Sequence, residues 1–415
     1  MAAQASRRRG FGGSHAAAAL PPRGRRGYGR DVSPALRLSL FYATIFGLVG
    51  IHLPFWPVWL AGRGLDAAEI GLVTAAGQLV RAFATPVIGS MADRVEDRRS
   101  VMVALALSAL AAGCAFYFAN GFWPILAVTV ALTISHGALG PLIENLTMLL
   151  ATARGFSYGR VRSLGSTAFI GMAVGGGWML QGRASEAVLL VVVLWLALTV
   201  AAVFLLPQPP PVPHGVPRGE ALPLLRQPMF RWLLLAVTLI QSSHAVYYAF
   251  GTLEWRRLGV PDGVIGALWA MGVGGEVVFF VFAHRVLRRL SPLALLVLSG
   301  AGGVVRWTLM PVVTAWPLLM ALQLLHICTF ACCHLGMMTI FSRAVPITHS
   351  ATAQGLAAST AMGLGMGAMM ALSGLLYARF GADAYLVMAV VAALGIAAAA
   401  MVRRTWHGGE LALRR

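Results

Sequence analysis

Twelve apolar runs, separated by short polar breaks, occupy the chain from Arg37 onward. They cover 37–60, 69–90, 100–119, 122–150, 160–181, 187–206, 231–253, 262–284, 292–312, 316–342, 351–378 and 383–402. Each reaches the ~20 residues that an α-helix needs to cross the hydrocarbon core of a bilayer. A backbone in lipid must satisfy its hydrogen bonds internally, which leaves helices as the spanning form for runs of this length. The expected fold class is an all-α polytopic membrane protein with twelve transmembrane helices. Composition agrees, with 58% hydrophobic and 11% charged residues, where a soluble domain has about 25% charged. Cys114, Cys328, Cys332 and Cys333 all fall in apolar runs, so they read as small core residues and not as a disulfide framework or metal site. No nucleophile–base constellation or metal-ligand cluster stands out, so neither an enzyme nor a cofactor is expected.

The longest break, 207–230, is PQPPPVPHGVPRGEALPLLRQPMF, a Pro-rich linker with six runs on either side. The halves echo one another. Arg94-Val95-Glu96-Asp97-Arg98-Arg99 follows the second run and Arg285-Val286-Leu287-Arg288-Arg289 the eighth, 191 residues on, while the first runs of the halves start 194 residues apart. A duplicated six-helix unit explains this. The expected organisation is a disordered basic tail (1–36), a first six-helix bundle (37–206), the linker (207–230), a pseudo-symmetric second bundle (231–402) and a short basic tail (403–415).

The formal charge is +18, and all 32 basic residues are Arg. Sorted by the runs, 24 lie at the termini or on their side, five on the opposite side (Arg63, Arg183, Arg256, Arg257, Arg379) and three inside helices. The positive-inside rule then puts both termini and the linker in the cytoplasm. Basic ends of this kind meet anionic lipid headgroups, and nucleic acid is not an expected partner.

Ions inside the runs are the candidate site, because a charge in hydrocarbon is costly and faces a partner or a cavity. Arg81, Glu144, Arg162, Glu276 and Arg306 are such residues. Three bases against two acids leave one positive charge, which suits an anionic substrate held by the planar fork of an arginine. Glu144 and Arg162 lie nine residues on either side of Ala153, roughly 13 Å from the turn on adjacent antiparallel helices. Arg306 and His326 are likewise ten residues on either side of Trp316, about 15 Å in and near mid-bilayer. Arg160 is rotated about 200° from Arg162 on its helix and points elsewhere. Glu276 follows Trp269 by seven residues, and Gly272, Gly274 and Gly275 open that stretch to close approach. Trp269 and Trp307 neighbour the ions and are candidates to contact an aromatic substrate. Phe55, Trp56, Trp59, Tyr247, Tyr248 and Phe250 lie toward the outer helix ends and read mostly as an interfacial belt. The MGLGMGAMM run, 362–370, reads as close, adaptable helix packing.

Gly89-Ser90-Met91-Ala92-Asp93-Arg94, closed by Arg98-Arg99, resembles the loop signature of the major facilitator superfamily, departing from it at Glu96. LPFWPVWL (53–60), YGRVRSLGSTAF (158–169), QSSHAVYYAF (241–250), GVVRW (303–307) and LQLLHICTFACCHLGMM (322–338) together resemble its phenylpropionate permease branch, which is related to the lactose and nucleoside proton symporters. The resemblance spans Leu53 to Gly381. It implies proton-coupled uptake of a small organic molecule, with an aromatic acid as type substrate. It implies a gating loop at Gly89, Asp93, Arg94 and Arg98, and substrate contacts at Glu144 and Arg162. It assigns Glu276, Arg306 and His326 to the substrate and proton machinery. Where the lactose-type protein has a proton-carrying acid three residues after the histidine, this chain has Thr329. Glu276 is then the first candidate for the proton, because desolvation favours a neutral carboxyl, and His326 the second. His244 and His334 are further intramembrane histidines. The expected protein is a monomeric transporter of the bacterial inner membrane, with substrate, protons and lipid as its partners. Efflux of a hydrophobic compound and a non-transporting ligand sensor are the alternatives.

Overall fold

The computed structural model describes residues 33–92, 94, 95, 97–208 and 220–413. The first half has one helix per apolar run: α1 (Pro34–Gly62), α2 (Ala67–Ala92), α3 (Arg98–Ala115), α4 (Phe122–Arg154), α5 (Tyr158–Leu180) and α6 (Glu186–Val203). A short helix, α7 (Ala221–Arg226), then leads into the second half, inside the stretch expected to be linker. There the crossings are more broken. The seventh comprises α8 (Pro228–Ser242) and α9 (Ala245–Arg257), and the eighth comprises α10 (Asp262–Val281) and α11 (Ala283–Leu287). The ninth is α12 (Pro292–Leu309). The tenth runs from α13 (Trp316–Leu324) through a π-helical turn (Ile327–Cys332) into α14 (Cys333–Ala344). The eleventh joins α15 (Ser350–Ala357) to α16 (Met366–Phe380) through a second π segment (Ala358–Gly365), and α17 (Ala384–Thr405) is the twelfth. Ten helical stretches among the described residues are long and apolar enough to cross a membrane by themselves. The last of these, Ile347–Thr405, folds back at Gly381 to make two crossings. The arginine- and glycine-rich α5 supplies the twelfth.

The two halves meet through symmetry-related pairs. The second crossing packs on the eleventh and the fifth on the eighth, so exchanging the halves maps one contact onto the other. Both crossings depend on small residues. A Cβ on Gly266 would lie 2.0 Å from the Ala173 carbonyl oxygen, and one on Gly177 2.3 Å from that of Asp262. Along α2 and the eleventh crossing, Gly374 meets Gly71, Gly367 meets Leu79 and Gly363 meets Ala82. Backbones this close need glycine at the contact. The Met-rich run therefore does serve close packing, with Met366 and Met370 buried.

The aromatic belt expected on the first and seventh crossings is not there. Phe55, Trp56, Trp59, Tyr247 and Phe250 are buried, because α1 packs on α5, α6 and α9, and α9 packs on α1, α16 and α17. Exposed rings are instead found at Phe118, Trp123, Trp178 and Trp316. Cys114 is also exposed, contrary to its reading as a core residue, while Cys332 and Cys333 are buried. The C-terminal tail is tied down: Leu411 donates its N–H to Ala344, and Gln227 donates to the Ala412 carbonyl.

Candidate functional site

The second half brings Glu276, His326 and Arg306 into one continuous chain. His326 Nε2 lies 2.8 Å from Glu276 Oε1, and its Nδ1 lies 2.9 Å from Arg306 Nη1. Arginine can only donate, so Nδ1 accepts and carries no proton; Nε2 then holds the hydrogen and donates it to the carboxylate. Arg306 is fully buried and donates as well to Gln323 Oε1 (2.6 Å) and Thr329 Oγ1 (3.3 Å). Its guanidinium lies over the rings of Tyr247 (4.5 Å) and Trp307 (4.6 Å). The network extends to His244, whose Nδ1 must donate to the Gln241 carbonyl and whose Nε2 pairs with Thr329 Oγ1 at 2.9 Å. Thr329 thus joins Arg306 to His244.

Local sequence explains this geometry. A Cβ on Gly272 would approach the His326 ring to 3.1 Å, and one on Gly275 would meet Ile327 at 2.8 Å, so the glycine stretch admits the tenth crossing. His326 sits at the start of the π turn and Thr329 within it; such turns are frequent at functional sites. The seventh crossing breaks at Ser243 and His244, and Ser243 Oγ accepts from Trp307 Nε1 at 3.0 Å. Trp269 Nε1 donates to Thr252 Oγ1 at 2.9 Å, and its ring stacks on Tyr247. Both candidate tryptophans therefore neighbour the ions, but as buried walls that line neither of the two cavities described below.

In the first half, Gly155 ends α4 with a left-handed φ of 72°, and Ser157 caps α5 by accepting from the Arg160 N–H. That tight turn lets Arg162 Nε reach Glu144 Oε1 at 2.8 Å. Tyr158 donates its hydroxyl to the other carboxylate oxygen, and the Arg162 guanidinium lies 4.4 Å from the Phe46 ring. Each partner keeps 33% of its side chain exposed. The pair lies beside the cavities and does not line them.

Arg81 is the ion that faces open space. A cavity of about 600 Å³ reaches the face where α1 begins and α17 ends, and Arg81, Arg98 and Arg99 line it. No acidic residue is among the described residues that do so. Pro141, which cannot donate to the Gly137 carbonyl four residues earlier, lies in its wall beside Gly137 and Asn145. Arg98 Nη1 donates to Asn145 Oδ1 at 2.9 Å. Gly89 lines the same cavity, Arg94 is exposed at the loop, and Asp93 lies outside the described residues. Gln78, Arg81 and Gly137 also line a second cavity of about 190 Å³ that runs toward the opposite face. His52 and His136 line this smaller cavity too.

Those two histidines were missed in the sequence. His52 lies 192 positions before His244 and His136 190 before His326, close to the repeat offset of the halves. Reading the duplication through the polar residues as well as the loops would have found them.

Two glycine-sealed six-helix halves, ions buried at mid-depth and a cavity open to one face are the architecture of a polytopic membrane transporter. The chain belongs to the family described as MFS_1 like, whose profile matches residues 35–387. It is 35% identical over 374 residues to the probable 3-phenylpropionic acid transporter of Escherichia coli (strain K12), covering 86% of this chain and 94% of that protein. It is 27% identical over 270 residues to the maltose permease of Geobacillus stearothermophilus, covering 65% and 68% respectively. Among solved structures, the nucleoside transporter NupG superposes with a TM-score of 0.77 at 15% identity over 91% of this chain and 100% of that one. A bacterial homologue of the lysosomal transporter Spinster, in an inward-facing, unoccupied conformation, superposes at 0.66, with 15% identity over 90% and 96%.

Proposed function

We propose that the protein is a proton-coupled importer of a small organic anion, an aromatic monocarboxylate such as 3-phenylpropionate, in the cytoplasmic membrane of a bacterium. The observation that carries this reading is a juxtaposition: an arginine-lined cavity, with no acid among the described residues that line it, beside a largely buried acid–histidine–arginine chain. The cavity attracts an anion, and the chain can store one proton. The aromatic acid is suggested by the similarity to the phenylpropionic acid transporter.

In this reading Glu276 carries the proton. Taking it on His326 would require Nδ1 to abandon Arg306, whereas a protonated Glu276 can still accept from His326 Nε2 through its free oxygen. Losing the carboxylate charge loosens the hold of the tenth crossing on α10, the helix through which the second half packs on α5 of the first, and the halves rock. Arg81 receives the carboxylate from the open cavity. Glu144 and Arg162, beside the cavity, act as an exchangeable pair, with Arg162 passing from Glu144 to the substrate as the cavity reshapes. Gly89, Asp93, Arg94 and Arg98 form the gating loop. The termini face the cytoplasm, which fits the pairing of three opposite-face arginines with carboxylates: Arg63 with Glu186, Arg256 with Asp262 and Arg257 with Glu254. The working unit is a monomer.

Energised membrane vesicles supplied with radiolabelled 3-phenylpropionate and related acids test the proposal. Uptake should collapse when a protonophore removes the pH gradient. A panel of aromatic and aliphatic acids with no gradient-dependent uptake would rule the reading out.

A further inference from the structure

The smaller cavity belongs to neither the proton chain nor the Glu144–Arg162 pair. It starts at mid-depth: Arg81 and His136 each lie fourteen residues after the first residue of their helices, α2 (Ala67) and α4 (Phe122), or about 21 Å along the axis. From there it runs between Trp56, Phe116 and Tyr248 and ends at a stacked plug. Trp56 and Trp59 have ring centroids 4.5 Å apart, and Phe116 meets them edge-on at 4.8 and 5.3 Å. His52 stacks on Trp56 at 4.8 Å.

Two polar groups point to a ligand. Arg81 has no ion-pair or hydrogen-bond partner among the described residues. His136 Nε2 is buried without a hydrogen-bond partner. A buried polar atom left unpaired is costly and rare, and its residue, His136, is among those lining a cavity that has an unpaired guanidinium at its mouth. The remaining wall is aromatic and aliphatic, and about 190 Å³ exceeds the roughly 150 Å³ of an apolar cavity that takes up benzene.

Resting on the transport reading above, we propose that the substrate's aryl ring fills this cavity while Arg81 and His136 hold its carboxylate at the mouth. Tyr248 forms one wall and stacks on His244, which bonds Thr329 and through it Arg306. A seated ring thereby touches the second half's polar network through direct contacts, and the Trp56 plug is the barrier that must open for entry from the opposite face.

The test measures binding of ring-labelled 3-phenylpropionate to purified full-length protein in lipid nanodiscs, alongside proteoliposome uptake. Arg81→Gln should weaken binding about tenfold to a hundredfold, the range for losing a charge-assisted bond. Gly77→Leu places a side chain in the cavity wall, where its Cβ makes only ordinary contacts, 3.5 Å from Thr133 and 3.9 Å from Thr129. It should weaken binding at least about tenfold by occupying the ring's space. Thr133→Leu repeats the occlusion from α4 and serves if Gly77→Leu does not fold. Wild-type affinity in folded occluded variants would overturn the ring assignment, and wild-type affinity in Arg81→Gln would overturn the carboxylate assignment. Both results leave transport of the acid standing. Absence of any acid uptake by the wild-type protein would instead remove the transport reading on which the proposal rests.

Discussion

The two halves carry the same pair of histidines and use them in opposite ways. His244 and His326 are buried and hydrogen-bonded around Arg306, with Glu276 closing the set. His52 and His136, their counterparts by repeat offset, flank an Arg81 that has no acid beside it among the described residues and opens into a cavity. The difference lies in the ions. Duplication kept the histidines, but the arginines are not repeat-related, and only the second half has an intramembrane acid bonded to a histidine of the set. A histidine–arginine set with its own carboxylate has a group that can bind a proton; a set without one can bind an anion.

The comparison can be broken in order of effect. The largest is expected from Glu276→Gln, which should abolish gradient-driven accumulation while leaving substrate counterflow in proteoliposomes intact, since only the proton store is removed. Accumulation at the wild-type level would move the proton elsewhere. Next is stability. Arg306→Ala leaves buried polar partners uncompensated and should cost about 3–5 kcal/mol, read as a lowered unfolding midpoint in detergent. Arg81→Ala, at an exposed, unpaired position, should stay within about 0.5 kcal/mol of wild type. Equal losses at the two arginines would erase the distinction between a sealed and an open set. The smallest effect is expected for Glu144→Gln: with both partners one-third exposed, the pair should contribute no more than about 1 kcal/mol. Its stability loss should therefore fall below that of Arg306→Ala, while uptake at limiting substrate falls because Arg162 loses its exchange partner.

Much of the architecture was legible. Apolar run lengths set twelve crossings, and ion spacing around the turns anticipated that Glu144 would find Arg162 and that Arg306 would find His326. Such pairs are local: two helices joined by a tight turn fix which depths coincide. Run lengths could not show that the seventh, eighth, tenth and eleventh crossings are interrupted, because a helix broken by a short turn or a π segment keeps the same apolar composition. The aromatic belt failed for a related reason. Position along a helix indicates depth, but not whether the facing surface is lipid or another helix.

By itself, then, the sequence determined that the chain crosses a membrane twelve times in two related halves, and which charges lie at mid-depth, because hydrophobic length and turn spacing are one-dimensional quantities. Only the tertiary structure decided which charges are satisfied and which are left open. Glu276, His326 and Arg306 come from three different crossings, and Arg81 lines the space left where α2, α4 and the eleventh crossing diverge. Whether a buried ion meets a partner or a cavity depends on how helices distant in sequence pack, and glycine-mediated contacts fix that packing in three dimensions.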